Sequence, residues 1–313
     1  MRKIALVFVS FVTCISTSIG QTTSSGIIEA VKNNDLKAVK ALLEKGIDVN
    51  SVDEDGDNLL MTAALYSSVE SMQLLIEKGA TINAKNKIDE TALMWSVHDL
   101  AKMKLLIEKG ADVNVRTKAG NTPLLIAAVG HGKYDAVKLL LDKGADAKAI
   151  NNKKENALIR ASQFGDTATI SLLLNKGLDI NALAQDSTTA LINAILNANK
   201  PVIFQLLERG ADPDKPGFFG LTALSFAVIF TDAEAVKAIL KKTKKVNAMD
   251  NGGNTVLMYA GYNEHDDVEM IQALLDKGAD VNIKAKDGAT ALSWASKKGN
   301  TETVALLKKA GAK

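Results

Sequence analysis

Cysteine is almost missing from this chain. Cys14 is the only one in 313 residues, so no intramolecular disulfide framework exists and no metal site can rest on thiolates. Proline is scarce, with four, and aromatic residues make up 4%. Those shortages argue against a proline-rich linker protein and against a β-sandwich. Net charge is missing too. Arg2 and Lys3 account for the formal +2, and from residue 21 onward 36 basic residues face 36 acidic ones. A neutral chain lacks the electrostatic footprint of a general nucleic-acid binder, so no nucleic-acid partner is expected. No apolar run reaches the ~20 residues that a bilayer span needs. What remains is 47% apolar and 24% charged, enough to bury a sizeable core.

The first twenty residues read as an export signal. Arg2 and Lys3 form a basic start, and Ile4 to Val12 is an apolar run broken only by Ser10. Small residues follow, and Ser18 and Gly20 suit a signal peptidase that cleaves after Gly20. A lipoprotein alternative would acylate Cys14, but Phe11-Val12-Thr13 is a poor match to the box that precedes such a cysteine. The short basic signal has a bacterial look, and the mature chain is expected in the periplasm or outside the cell.

Beyond residue 25 one unit recurs. Helix-ending positions follow an apolar pair at Gly46, Gly79, Gly110, Gly144, Gly177, Gly210, Thr243, Gly278 and Gly311, with successive spacings of 33, 31, 34, 33, 33, 33, 35 and 33. Such a period marks a solenoid. Between these anchors a leucine is invariant in eight copies: Leu60, Leu93, Leu124, Leu158, Leu191, Leu224, Leu257 and Leu292. Two residues before each stands Asn or Thr, able to cap a helix N-terminus, and Pro123 follows Thr122 where proline starts a helix well. Three residues after each leucine comes alanine, or Ser96 once, small enough for neighbouring helices to approach closely. Each unit therefore reads as turn, short helix, loop, longer helix, then an extended link.

Gly120-Asn121-Thr122-Pro123-Leu124 with Ala127-Ala128, and the links Gly110-Ala111-Asp112-Val113-Asn114 and Gly278-Ala279-Asp280-Val281-Asn282, make the chain resemble the ankyrin repeat over about residues 26–313. The resemblance implies an all-α fold, an α-solenoid of about eight full repeats with short β-hairpin turns. The family's histidine after the leucine is replaced in every copy, for example by Met61, Leu125 and Ser225, so less hydrogen bonding between repeats is expected. The expected organisation is a signal peptide at 1–20, a short flexible segment at 21–25, a truncated capping repeat at 26–50 and the array at 51–313. Lys308 replaces an apolar residue on the last helix and reads as an end cap.

Little in the sequence points to chemistry. His98, His131 and His265 fall on three separate repeats without ligand spacing, and no nucleophile elbow, phosphate loop or dinucleotide fingerprint is present. No cofactor is expected. Asp53, Asp55 and Asp57 form the best metal candidate, a calcium reading weighed against a solvated turn. Lys241, Lys242, Lys244 and Lys245 complement a helix C-terminus, or hold an anion.

The resemblance implies a binding protein rather than an enzyme, a monomer that takes a protein partner on the concave face lined by hairpin tips and first helices. A host-directed effector is the same chemistry at another address; an enzyme or metal-dependent protein using the groove is the other rival. Candidate contact residues are those the repeat does not demand. Tips two to four offer Lys85, Lys87, Arg116, Lys118, Lys153 and Lys154; tip six offers Phe218, Phe219 and Leu221. The ends of first helices add Phe164, Leu196, Ile229, Phe230 and Tyr262, either as contacts or as packing between repeats.

Overall fold

The computed structural model describes residues 21–313; the expected signal segment, with Cys14, lies outside them. Eighteen α-helices follow one another in pairs among the described residues. The first members are α1 (Gln21–Lys32), α3 (Leu59–Tyr66), α5 (Ala92–Trp95), α7 (Pro123–Ala127), α9 (Ala157–Phe164), α11 (Ala190–Leu196), α13 (Ala223–Phe230), α15 (Val256–Gly261) and α17 (Ala291–Lys298). The second members are α2 (Leu36–Glu44), α4 (Val69–Glu77), α6 (Leu100–Glu108), α8 (Tyr134–Asp142), α10 (Thr167–Asn175), α12 (Lys200–Glu208), α14 (Ala233–Lys242), α16 (Val268–Asp276) and α18 (Thr301–Lys309). First helices pack on first helices and, from α4 onward, second on second. The result is a two-layer α-solenoid with one core running from Ile27 to Leu307.

At the N-terminal end, residues 21–25 belong to α1, and the first unit contains the helix pair α1 and α2. Ile27 and Val31 are fully buried against the next unit. The 31-residue unit loses its length mainly from its first helix, as α5 has only four residues. Lys102 enters beside this short helix and donates from Nζ to the Ala64 carbonyl at 3.0 Å, a buried cation on an orphan helix-end acceptor.

Helix starts follow the capping logic in part. Asn58, Thr122, Asn156, Thr189 and Thr290 accept from the backbone N–H three residues on, whereas Thr91, Thr222 and Thr255 hold the same extended backbone without that bond. The glycines that end second helices sit at φ between +81° and +94°, where a Cβ is strained. Thr243 cannot follow that route cheaply, and its backbone leaves the helix extended at φ −69°.

Hydrogen bonds do run between repeats at another position of the unit. The asparagine that closes the Ala-Asp-Val-Asn link supplies them. Asn114 accepts from the Asp146 N–H at 2.8 Å and donates to the Gly144 carbonyl at 3.0 Å, reaching the end of the next second helix. Asn50, Asn83, Asn247 and Asn282 repeat this double bridge. Where Thr243 replaces glycine, Asp214 replaces asparagine, and the arm that donated now accepts. The Thr243 hydroxyl now donates to Asp214, which also accepts from the Lys244 N–H at 2.7 Å.

Candidate binding face

Each link ends in a five-residue hairpin closed by one recurring bond. The N–H of the first tip residue donates to the carbonyl of the fifth, as from Asn151 to Glu155 and from Asp250 to Asn254. The fourth residue takes a left-handed φ: glycine in five tips, but Asp89, Lys154 and Ser187 in the others. Gly120 shows why the slot favours glycine, because a Cβ there would meet Oδ1 of Asn152 at 2.6 Å.

Adjacent tips are also stitched together. The second residue of one tip donates to the carbonyl of the third residue of the tip before: Lys87 to Asp55, Lys118 to Ile88, Asn152 to Ala119 and Gln185 to Lys153. The pattern resumes from Asn251 to Phe219 and from Lys286 to Gly252. Between tips five and six it is broken, since the Phe218 N–H does not reach Asp186. Tip six is irregular, with a 3-10 turn over Phe218–Gly220 and Phe219 at φ +58°.

This geometry divides the two phenylalanines that the sequence treats alike. Phe218 is half-buried, its ring 4.6 Å from that of Phe226, which is 1% exposed. Phe219 touches Phe218 edge-on at 5.6 Å and stays 72% exposed. Leu221 packs against the core. Gly217 makes the inward turn possible, because a Cβ there would lie 2.7 Å from Cδ1 of Ile192.

The ends of the first helices are exposed, as a contact role requires: Phe230 is 49% and Tyr262 45% open, with Phe164 and Ile229 close behind. Leu196 packs on the core instead. A neighbouring row went unnoticed in the sequence, four residues after each N-cap: Thr62, Trp95, Ile126, Arg160, Asn193, Phe226, Tyr259 and Trp294. The signal was there, in a repeat position whose chemistry changes at every copy and which holds both tryptophans.

Hydrogen bonds order four members of this row, Trp95, Arg160, Asn193 and Tyr259. Trp95 Nε1 donates to Glu90 at 2.9 Å, and Arg160 donates to Glu155 at 2.9 Å and to the Leu125 carbonyl at 2.7 Å. Asn193 donates to the Ile159 carbonyl at 2.6 Å. Tyr259 donates to Asp250, and burial together with that carboxylate pushes the phenol up to about 12. Burial works to raise Asp250, but the bonds from Tyr259 and Asn254 outweigh it and hold the carboxyl below its ordinary value. Trp294 lies edge-on to Tyr259 at 5.5 Å and Tyr262 at 5.7 Å, with Lys298 Nζ 5.3 Å from the Tyr262 centroid.

Lys85, Lys118, Lys153 and Lys154 are exposed, and their side chains make no hydrogen bond or ion pair among the described residues. Lys87 leans onto the Glu54 carbonyl and Arg116 onto the Ile150 carbonyl, each reaching across to a neighbouring tip. In tip one, Asp53 Oδ1 accepts from the N–H groups of Asp55 and Asp57, and Asp57 accepts from Asn86. No group of three acidic or histidine side chains converges on a metal position among the described residues. Desolvation, partly offset by the bond from Asn86, raises the Asp57 carboxyl, and Asp53, Asp55 and Glu90 add to the rise.

The histidines stay apart. His131 tilts against Phe164 at 6.1 Å, and Lys133 Nζ stands 2.7 Å from Nδ1 of His98. Desolvation and that ammonium lower the His98 pKa. Lys237 and Lys241 border a 360 Å³ cleft on the second-helix side, and Lys237 pairs with Glu269. No helix among the described residues is long and apolar enough to cross a membrane.

Comparison with curated proteins finds no match to this chain. The family description "Ankyrin repeats (3 copies)" matches residues 27–117, 83–151, 99–184, 124–217, 191–285 and 224–313, which together run from the first described unit to the last residue. With paired helices, stitched hairpins and a glycine-ended period repeated along that same stretch, the chain belongs to the ankyrin-repeat proteins.

Proposed function

We propose that this protein is a non-enzymatic scaffold that binds another protein on the concave face formed by its hairpin tips and first helices. Ankyrin repeats are in general protein-interaction modules rather than enzymes. One observation supports the choice of face. Twelve aromatic residues follow residue 20; nine lie on hairpin tips or first helices and Tyr262 caps the end of α15, whereas only Tyr134 and Phe204 lie on second helices. Aromatics dominate binding hot spots, and side chains already ordered by hydrogen bonds, such as Trp95 and Tyr259, lose little freedom when a partner covers them. The basic start, apolar run and small residues of positions 1–20 support export to the periplasm or beyond, so the partner is expected there.

Photo-cross-linkers placed in living cells at Phe219 and Tyr262 test the face against Lys138 and Gln205 on second helices. The two groove positions should trap one and the same species, and the second-helix positions should not. Trapping only from the second helices would overturn the reading.

A further inference from the structure

The concave-face reading leaves open what chemistry the partner brings, and tips two to four carry that answer. Three adjacent tips present six cations: Lys85 and Lys87, Arg116 and Lys118, Lys153 and Lys154. The whole chain from residue 21 is neutral, so this row is a local feature and not a reflection of net charge. It is bounded on both sides by carboxylates, at Asp53, Glu54 and Asp55 on tip one and at Asp186 on tip five. Within it, Glu90 and Glu155 sit at hairpin bases and are occupied by Trp95 and Arg160, which leaves Asp89 as the one other acid. Ile88 and Ile150 stand exposed among the cations, each roughly half open to solvent.

We infer that tips two to four bind an extended acidic segment of the protein partner, with apolar side chains interleaved among its carboxylates; this rests on the concave-face reading. The dimensions set the length of the segment. Helix layers pack roughly 10 Å apart, so three tips span about 20 Å. An extended chain rises ~3.3 Å per residue, which makes the segment about seven residues long. Carboxylates along it meet the cations, while its apolar side chains cover Ile88 and Ile150. A nucleic acid fits less well. Its phosphates continue past seven residues' length into the acidic tips on either side, and it offers nothing to the exposed isoleucines.

The backbone ladder holds the row as a unit, because Lys87, Lys118, Asn152 and Gln185 link tips one to five in sequence. The Lys87 and Arg116 side chains are already ordered on carbonyl oxygens, which neutralise no charge. Lys85, Lys118 and Lys153 support nothing in the fold and can be reversed without removing a bond.

The test uses the full chain and a fluorescent twelve-residue peptide repeating Glu-Asp-Leu, followed by anisotropy. Controls are the Gln-Asn-Leu peptide and a twelve-nucleotide single-stranded DNA. The acidic peptide should bind, should weaken steeply with added salt, and should bind at least tenfold better than its amide counterpart. The triple variant K85E/K118E/K153E should lose at least tenfold in affinity at an unchanged melting temperature. K37E/K40E/K104E, which reverses an equal charge on second helices, should bind as the parent does. Equal binding by the amide peptide, or equal losses in both triple variants, would overturn the inference. So would DNA that binds more tightly than the peptide and displaces it. An acidic peptide that fails to bind while the Phe219 and Tyr262 cross-links persist would remove the acidic segment and leave the concave face standing.

Discussion

Phe218 and Phe219 can be replaced one at a time, and the two replacements are expected to fail in different assays. Full burial of a phenylalanine is worth roughly 1.5–3 kcal/mol. Phe218 is half-buried, so its ring contributes about half of that, and the contact with Phe226 at 4.6 Å adds ~0.5–1.5 kcal/mol. Phe218→Ser should therefore cost about 2 kcal/mol. Phe219 keeps most of its surface in water and holds a left-handed backbone that costs a side chain ~1–2 kcal/mol. Phe219→Gly removes that strain but frees the unfolded chain, and the sum should stay within ~0.5 kcal/mol. Thermal unfolding by circular dichroism, with hydrogen exchange in α11 and α13, reads the difference. The melting temperature should fall by a few degrees for Phe218→Ser and barely move for Phe219→Gly. Affinity for the species trapped by the groove cross-linkers should behave the other way, falling at least tenfold, or ~1.4 kcal/mol, for Phe219→Gly. Equal destabilisation by both changes would show that Phe219 packs after all. Full affinity in a folded Phe219→Gly variant would remove it from the contact.

The reversed bridge at Asp214 and Thr243 should behave as a coupled pair: Thr243→Ala is expected to cost ~1.5–3 kcal/mol as a charge-assisted bond in a buried site, and the double change Asp214→Asn with Thr243→Gly to recover most of the loss. A double-mutant cycle in urea checks this, and additivity within ~0.5 kcal/mol would show that the two do not interact. Asp57 has a raised folded pKa, so its charged form penalises the fold above that value, and the penalty fades as pH falls through it toward the unfolded value. Asp57→Asn should therefore stabilise at neutral pH, on the order of 0.5 kcal/mol, with the advantage vanishing in acid; a constant difference from pH 7 to pH 3 would refute the cause. Mature protein recovered from cells should begin at Gln21 by mass spectrometry, and an acylated Cys14 at the N-terminus would replace the cleaved-signal reading with a lipoprotein.

The period, the helix pairs and the core were legible without coordinates because each depends on local chemistry repeated in register. An invariant leucine such as Leu191, a small residue three positions on and a glycine at φ > 0 state a face, a spacing and a stop. Capping was legible only as potential, since Thr91 and Thr122 share a residue type and a backbone, yet only Thr122 makes the bond. The candidate face was half legible. The exposed ends at Phe230 and Tyr262 followed from position, but the row through Trp95, Arg160, Tyr259 and Trp294 was not recognised before the helices were placed side by side.

By itself, then, the sequence determined the repeating unit and its stacking, because nearest-neighbour burial needs only a pattern with the right period. Only the tertiary structure decided which of two adjacent phenylalanines packs, that Asp214 and Thr243 exchange donor and acceptor, and that Asp53 turns its carboxylate onto its own hairpin. Those choices depend on atoms about thirty residues apart, or on a turn's backbone angles. A linear pattern names the groups that could meet; the fold brings them within the ~3 Å at which a hydrogen bond exists.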